Sequence, residues 1–160
     1  MIAYLFPGQG SQYPGMAKEF AEAFPQAKAM MQEADDLLHI HLSKAMLEGP
    51  EDVLRQTDFT QPAIFLHSMI ALRFSEDLGT PNAMAGHSLG EYTALTAAGA
   101  LTFNDALQLV QLRGTLMAEA GKRSSGTMAA IIGMDANVLT ALCENVERET
   151  SSIVRPANYN

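Results

Sequence analysis

The chain has 160 residues, 48% hydrophobic and 18% charged, a balance that excludes a disordered tail and allows one domain with a real core but not two ordinary ones. Eighteen acidic residues against 10 basic ones leave a net charge of −8, which argues against nucleic acid or an anionic membrane as a partner. The single cysteine, Cys143, can form no internal disulfide and reads as a buried thiol on a helix; with no signal-peptide pattern and no run near the ~20 apolar residues of a membrane span, a cytoplasmic location is expected.

Ile2 to Phe6 is a short apolar run ended by Pro7-Gly8, which predicts a buried strand entering a loop. The loop Gly8-Gln9-Gly10-Ser11-Gln12 does not fit a dinucleotide fingerprint, because Tyr13 stands where a third glycine or alanine belongs. Its better use is to present backbone N–H groups to an anionic oxygen. Gln26 to Leu38 carries Ala27, Met30, Met31, Ala34, Leu37 and Leu38 at helical spacing, with the methionines as core filler. His39 and His41 follow Asp35 and Asp36, and read as solvated helix-end residues more readily than as metal ligands. Gly49-Pro50-Glu51-Asp52 marks a helix start. A further helix is predicted from near Thr60, with Pro62 in its first turn. It is apolar on nearly every side, so it should lie against a sheet, with His67 as a hydrogen-bonded core histidine.

After the turn Gly79-Thr80-Pro81-Asn82, the small apolar residues before Gly86 predict a strand, and Glu91 to Ala100 a helix. Between them lies Gly86-His87-Ser88-Leu89-Gly90, a Gly-x-Ser-x-Gly pentad. Strand, tight turn and helix in this order would lift Ser88 into the open at a helix N-terminus, where developing negative charge is favoured. Thr102 and Asp105 predict the start of a long helix through about Gly121, in which Arg113 sits among apolar neighbours. A surface ion pair is the plain explanation for such an arginine, and a bound carboxylate the functional one. Gly121 to Gly126 is a candidate subdomain boundary. Thr127 to Gly133 predicts a strand, Asp135 to about Arg148 a helix, and Ser152-Ile153-Val154 the start of another strand. The alternation implies an α/β fold with a mainly parallel sheet.

Six stretches, in order and covering almost the whole chain, resemble the acyltransferase family of fatty acid and polyketide synthesis: Phe6 to Gln12, Glu48 to Pro50, Thr60 to Ala63, Gly86 to Tyr92, Leu112 to Gly114 and Met128 to Ala130. The resemblance implies an α/β-hydrolase-like parallel sheet with a nucleophile elbow over residues 1–126, and the beginning of a small ferredoxin-like subdomain over residues 127–160. It implies transfer of a malonyl group from coenzyme A to the phosphopantetheine thiol of acyl carrier protein through an ester on Ser88. Gln9 and Leu89 would supply the backbone N–H pair for the oxyanion, Arg113 would hold the malonyl carboxylate, Gln61 would order the pocket and His87 would line it. No cofactor or metal is implied, coenzyme A thioester being a substrate. The family's histidine base has no counterpart here, since His39, His41 and His67 do not match its position. The chain is therefore expected to be the N-terminal half to two-thirds of an enzyme. An acyl hydrolase of the same broad fold, which would have little use for Arg113, and a non-catalytic docking domain are the competing readings.

Overall fold

A computed structural model describes residues 1–75, 78–123 and 126–159. The elements run β1 (Ala3–Phe6), α1 (Lys18–Ala23), α2 (Pro25–Leu38), α3 (Leu42–Glu48), α4 (Glu51–Leu54), α5 (Thr57–Arg73), β2 (Ala83–Gly86), α6 (Gly90–Ala97), α7 (Phe103–Arg123) and α8 (Ala136–Thr150). They divide into two compact units, Met1–Ser125 and Gly126–Asn160.

In the first unit β1 and β2 pair in parallel, with Ala3 opposite Ala83 and Phe6 opposite Gly86. The Asn82 amide and Ile2 carbonyl (2.8 Å) extend this register by one rung. The Ile2 amide in turn donates to Asn82 Oδ1 (2.9 Å). The predicted parallel pairing is present, but the strand expected to be buried is not: Leu5 is 77% exposed and only Phe6 is in the core. Helix α6 packs on this two-stranded ribbon, which leaves little of the sheet covered.

The core lies instead among the helices. Leu42, Met46, Leu54, Ile64, Phe65, Leu66, Ile70, Leu107 and Val110 are fully buried. Helix α5 is enclosed as its all-round apolar pattern implies, but by α7, α6, α4, α3 and α2 and not by a sheet. Phe65 meets Phe103 at the start of α7 with ring centroids 5.7 Å apart. Helix α5 also begins at Thr57, three residues earlier than predicted, so Pro62 falls inside it. The missing proline N–H removes one bond to the Asp58 carbonyl, and burial of the apolar run Pro62, Ala63, Ile64, Phe65 and Leu66 offsets it. The Thr60 hydroxyl donates to the Leu54 carbonyl (2.6 Å), tying α5 to the short α4 before it.

Helix α7 starts as the sequence suggests. Thr102 Oγ1 accepts from the Asp105 amide (3.1 Å) and donates to Asp105 Oδ2 (2.7 Å), a reciprocal cap. It continues two residues past the predicted end, to Arg123; Ser124 and Ser125 of the candidate boundary lie outside the described residues. His39 and His41 are exposed at the end of α2 and the start of α3, as expected. Asp35 is taken up by Ser43, whose amide (2.8 Å) and hydroxyl (2.5 Å) it accepts at the first turn of α3. Met31 is buried, in keeping with a filling role, and Met30 packs on the core edge.

The second unit is a helix with irregular flanks. Asp135 caps α8 by accepting from the Asn137 (2.9 Å) and Val138 (3.2 Å) amides. The Thr140 and Tyr159 hydroxyls meet at 2.7 Å, and Arg155 pairs with Glu147 at 3.3 Å. Neither strand predicted here, Thr127 to Gly133 or Ser152 to Val154, forms among the described residues. A strand needs a neighbour for its N–H and C=O groups. The apolar residues that suggested one are left in the open, Ile132 at 93% exposure. Cys143 is on a helix but only half-buried.

His67 also departs from expectation. It is half-buried, edge-on to Phe20 at 6.3 Å, and makes no side-chain hydrogen bond among the described residues. Burial lowers its pKa below 6.5, because the charged ring is poorly solvated there. The unfolded chain therefore takes up this proton first as pH falls, so stability from neutral His67 is full above 6.5 and is lost below it. Urea midpoints between about pH 7.5 and about pH 5.5 should fall more for the wild type than for His67→Phe; equal pH dependence would refute the assignment.

Candidate active site

The pentad after β2 makes a turn that only its own residues permit. A Cβ on Gly86 would lie 1.9 Å from the Gly90 carbonyl carbon, and one on Gly90 would lie 2.4 Å from the Phe6 carbonyl oxygen. The first turn of α6 thus sits directly on the ends of both strands. Within the turn Ser88 takes φ +56°, a left-handed conformation that costs a non-glycine residue of order 1 kcal/mol. The His87 amide donates to the Phe6 carbonyl (3.0 Å), and the Gly90 amide to the His87 carbonyl (3.0 Å). Ser88 is left exposed at the tip while Leu89 is buried beneath it.

The loop after β1 rests against this turn. A Cβ on Gly8 would come within 2.7 Å of both His87 Nδ1 and the His87 carbonyl oxygen. Ser11 Oγ donates to the Gly8 carbonyl (3.0 Å), and the Gly10 amide donates to Gln12 Oε1 (2.9 Å). The Gly10 N–H is therefore occupied, which narrows the expectation that the loop offers its amides generally. The Gln9 and Leu89 amides donate to no other group among the described residues.

Across from the turn, α7 delivers Arg113. Its Nη2 donates to Ser88 Oγ (2.8 Å) and its Nη1 to Gln61 Oε1 (2.5 Å). No carboxylate lies within ion-pair distance of it among the described residues, so the surface ion pair is not what it makes. Gln61 is fully buried on α5. Because a guanidinium only donates, Gln61 must turn its oxygen toward Arg113. Its Nε2 then points to Gln9 Oε1 (3.3 Å) and Met117 Sδ (3.4 Å).

The structure thus brings Ser88, Arg113, Gln61 and Gln9 into one hydrogen-bonded chain, with Leu89 and His87 flanking the serine. His39 and His41 are on other elements, His67 shares α5 with Gln61, and none of the three bonds to it. Met117 was legible only as an apolar helix position; its place one turn beyond Arg113 on the same face is the signal that ties it to the site. A groove of about 600 Å³ between α2, α5, α6 and α7, lined by Met30, Met69, Leu72 and Phe103 with Glu33 and Arg73, contains none of these residues. Among the described residues no three His, Cys, Asp or Glu side chains are grouped to hold a metal ion.

The arrangement is an exposed hydroxyl at a strained turn, a cation bonded to it, and two uncommitted amides nearby. That combination suits acyl transfer involving an anionic group. Residues 3–151 match the family described as Acyl transferase domain, and the chain belongs to that family. It is 48% identical over 160 residues to the malonyl CoA-acyl carrier protein transacylase of Bacillus subtilis (strain 168), covering 99% of this chain and 50% of the relative. The transacylase of Escherichia coli (strain K12) is 41% identical over 161 residues, covering 99% and 52%. Among solved structures, the malonyl CoA-acyl carrier protein transacylase of Coxiella burnetii superimposes with a TM-score of 0.87 at 41% identity, covering 99% of this chain and 50% of that one. A malonyl-transacylase in complex with its type II PKS acyl-carrier protein gives a TM-score of 0.80 at 40% identity, covering 92% and 48%. The chain spans about half the length of the curated relatives it matches.

Gln61→Leu removes the acceptor of Arg113 Nη1. The expected cost is about 1–3 kcal/mol of unfolding free energy, read from urea denaturation. An unchanged midpoint would mean that the buried amide contributes nothing to holding the arginine.

Proposed function

We propose that this chain carries the nucleophile half of an enzyme that moves a malonyl group from coenzyme A to the phosphopantetheine thiol of acyl carrier protein in fatty acid synthesis. The observation that carries the reading is the Arg113 guanidinium bonded at once to Ser88 Oγ and to buried Gln61. Ser88 attacks the thioester carbonyl and the coenzyme A thiol leaves, forming an ester on Oγ. The pantetheine thiol then attacks that ester and frees the serine. The Gln9 and Leu89 amides hold the oxyanion in both steps; losing one such donor typically costs ~3 kcal/mol.

On Ser88 the malonyl ester places its free carboxylate two carbons from the ester oxygen's carbon, within the neighbourhood of the arginine. The planar fork of Arg113 suits a carboxylate better than a lysine would. Gln61 keeps the fork in place, and His87 lines the pocket beside the Gly8 loop. Arg113 cannot accept the Ser88 proton. We assign that role to a histidine in the half of the relatives' length that this chain does not span, so the 160 residues alone should turn over poorly.

In this reading residues 1–126 are the first part of an α/β-hydrolase-like large subdomain with a nucleophile elbow at Ser88, and residues 127–160 begin a ferredoxin-like small subdomain. The exposed apolar residues of the second unit support an unfinished sheet. No cofactor or metal takes part, and neither nucleic acid nor a membrane is a partner. No described helix is long and apolar enough to cross a membrane, which is compatible with a cytoplasmic enzyme.

Arg113→Ala in the full-length enzyme is expected to lower kcat/KM for malonyl-CoA by about a hundredfold, some 3 kcal/mol, while acetyl-CoA, which has no carboxylate to hold, changes little. Equal losses for both thioesters would remove the arginine from acyl recognition and favour a hydrolase of neutral acyl chains.

A further inference from the structure

We infer that Gly114 is a positioning residue for Arg113, and that the close contact of α7 with the first turn of α5 at this glycine sets the preference for an acyl group bearing a free carboxylate. The inference rests on the proposed reading of Arg113 as the carboxylate anchor.

Glycine in the middle of a helix costs about 1 kcal/mol relative to alanine, so a buried one in α7 needs a reason. The surroundings supply it. A Cβ on Gly114 would lie 2.6 Å from the Thr57 carbonyl oxygen, 3.2 Å from its carbon and 3.0 Å from Asp58 Cα. All three are backbone atoms of α5, so no side-chain rotation relieves the clash. The helices would have to part until the closest contact grew from 2.6 Å to at least the 3.4 Å of ordinary van der Waals separation.

The consequence for the site follows from what the two backbones carry. Arg113 is the residue before Gly114, and Gln61 is one turn beyond Thr57. Donor and acceptor of the Nη1 bond therefore hang from the two segments that touch. Ser88, the other partner, is on the turn between β2 and α6, so a displacement of α7 from α5 carries Arg113 relative to both acceptors. Misplacement by about 1 Å is enough to cost on the order of 10²-fold in a positioned reaction. Gly121, two turns further along the same helix, provides the contrast: a Cβ there meets nothing within 4 Å.

The test is a competition in the full-length enzyme. Malonyl-CoA and acetyl-CoA are supplied together, and the ratio of malonyl to acetyl adducts is read by intact mass. That ratio does not depend on how much of a sample is folded. Gly114→Ala should lower it by about tenfold or more, and Gly121→Ala, which makes the same chemical change on the same helix, should leave it at the wild-type value. An unchanged ratio in Gly114→Ala overturns the inference. So does loss of both adducts, because a seam that only positions Arg113 leaves Ser88 open to acetyl-CoA. Arg113→Ala run alongside separates the levels: if it keeps the malonyl preference, the reading of Arg113 fails; if it loses the preference while Gly114→Ala keeps it, only the role of Gly114 fails.

Discussion

The guanidinium of Arg113, bonded to Ser88 Oγ on one side and to the buried oxygen of Gln61 on the other, is the contact on which the rest of this site depends. It joins three separate elements, the turn before α6, the first turns of α5, and the middle of α7. A cation without a carboxylate partner is an expensive thing to hold beside a hydrophobic core. Here the cost is limited by two hydrogen bonds and by leaving the arginine half-exposed. With no carboxylate at ion-pair distance among the described residues, the guanidinium beside the Ser88 hydroxyl is the arrangement that the proposed recognition of an anionic acyl group would use.

That tightness is concentrated at backbone contacts where no side chain fits. Gly86 and Gly90 bring α6 onto the strand ends, Gly8 brings the first loop onto His87, and Gly114 brings α7 onto α5. Each contact sets the height of one site residue: Ser88 through the turn, Gln9 through the loop, Arg113 through the helix seam. Rigid backbone contacts position groups more closely than long side chains can. The helical core of α2, α3, α5 and α7 provides the mass against which these contacts are held, while the two-stranded ribbon serves mainly to aim the turn.

Local chemistry was legible in the sequence where it is self-contained. The pentad around Ser88 announces its strand, turn and helix because the glycines, the small residues and the helix start are all within ten positions. The Thr102 start of α7 and a helix beginning near Asp135 were equally plain. What the sequence did not disclose depends on partners far along the chain. The all-round apolar α5 could be placed as buried, but nothing local says that helices and not a sheet enclose it. Pro62 pointed to a helix start because proline usually does; burial of its neighbours overrode that tendency. The stretches expected as strands at Thr127 to Gly133 and Ser152 to Val154 have the composition of strands but pair with no strand among the described residues. Arg113 was conspicuous, yet its bonds to Gln61 and Ser88 span 52 and 25 positions, beyond the reach of any periodicity.

The central claim is that Ser88 carries the acyl group beside Arg113. Peptide mapping by mass spectrometry, after brief incubation of the full-length protein with malonyl-CoA, tests it most directly. The account predicts a malonyl ester confined to the peptide containing Ser88 and absent from Ser88→Ala. A malonyl group found on another residue, or the same labelling in Ser88→Ala, would contradict it.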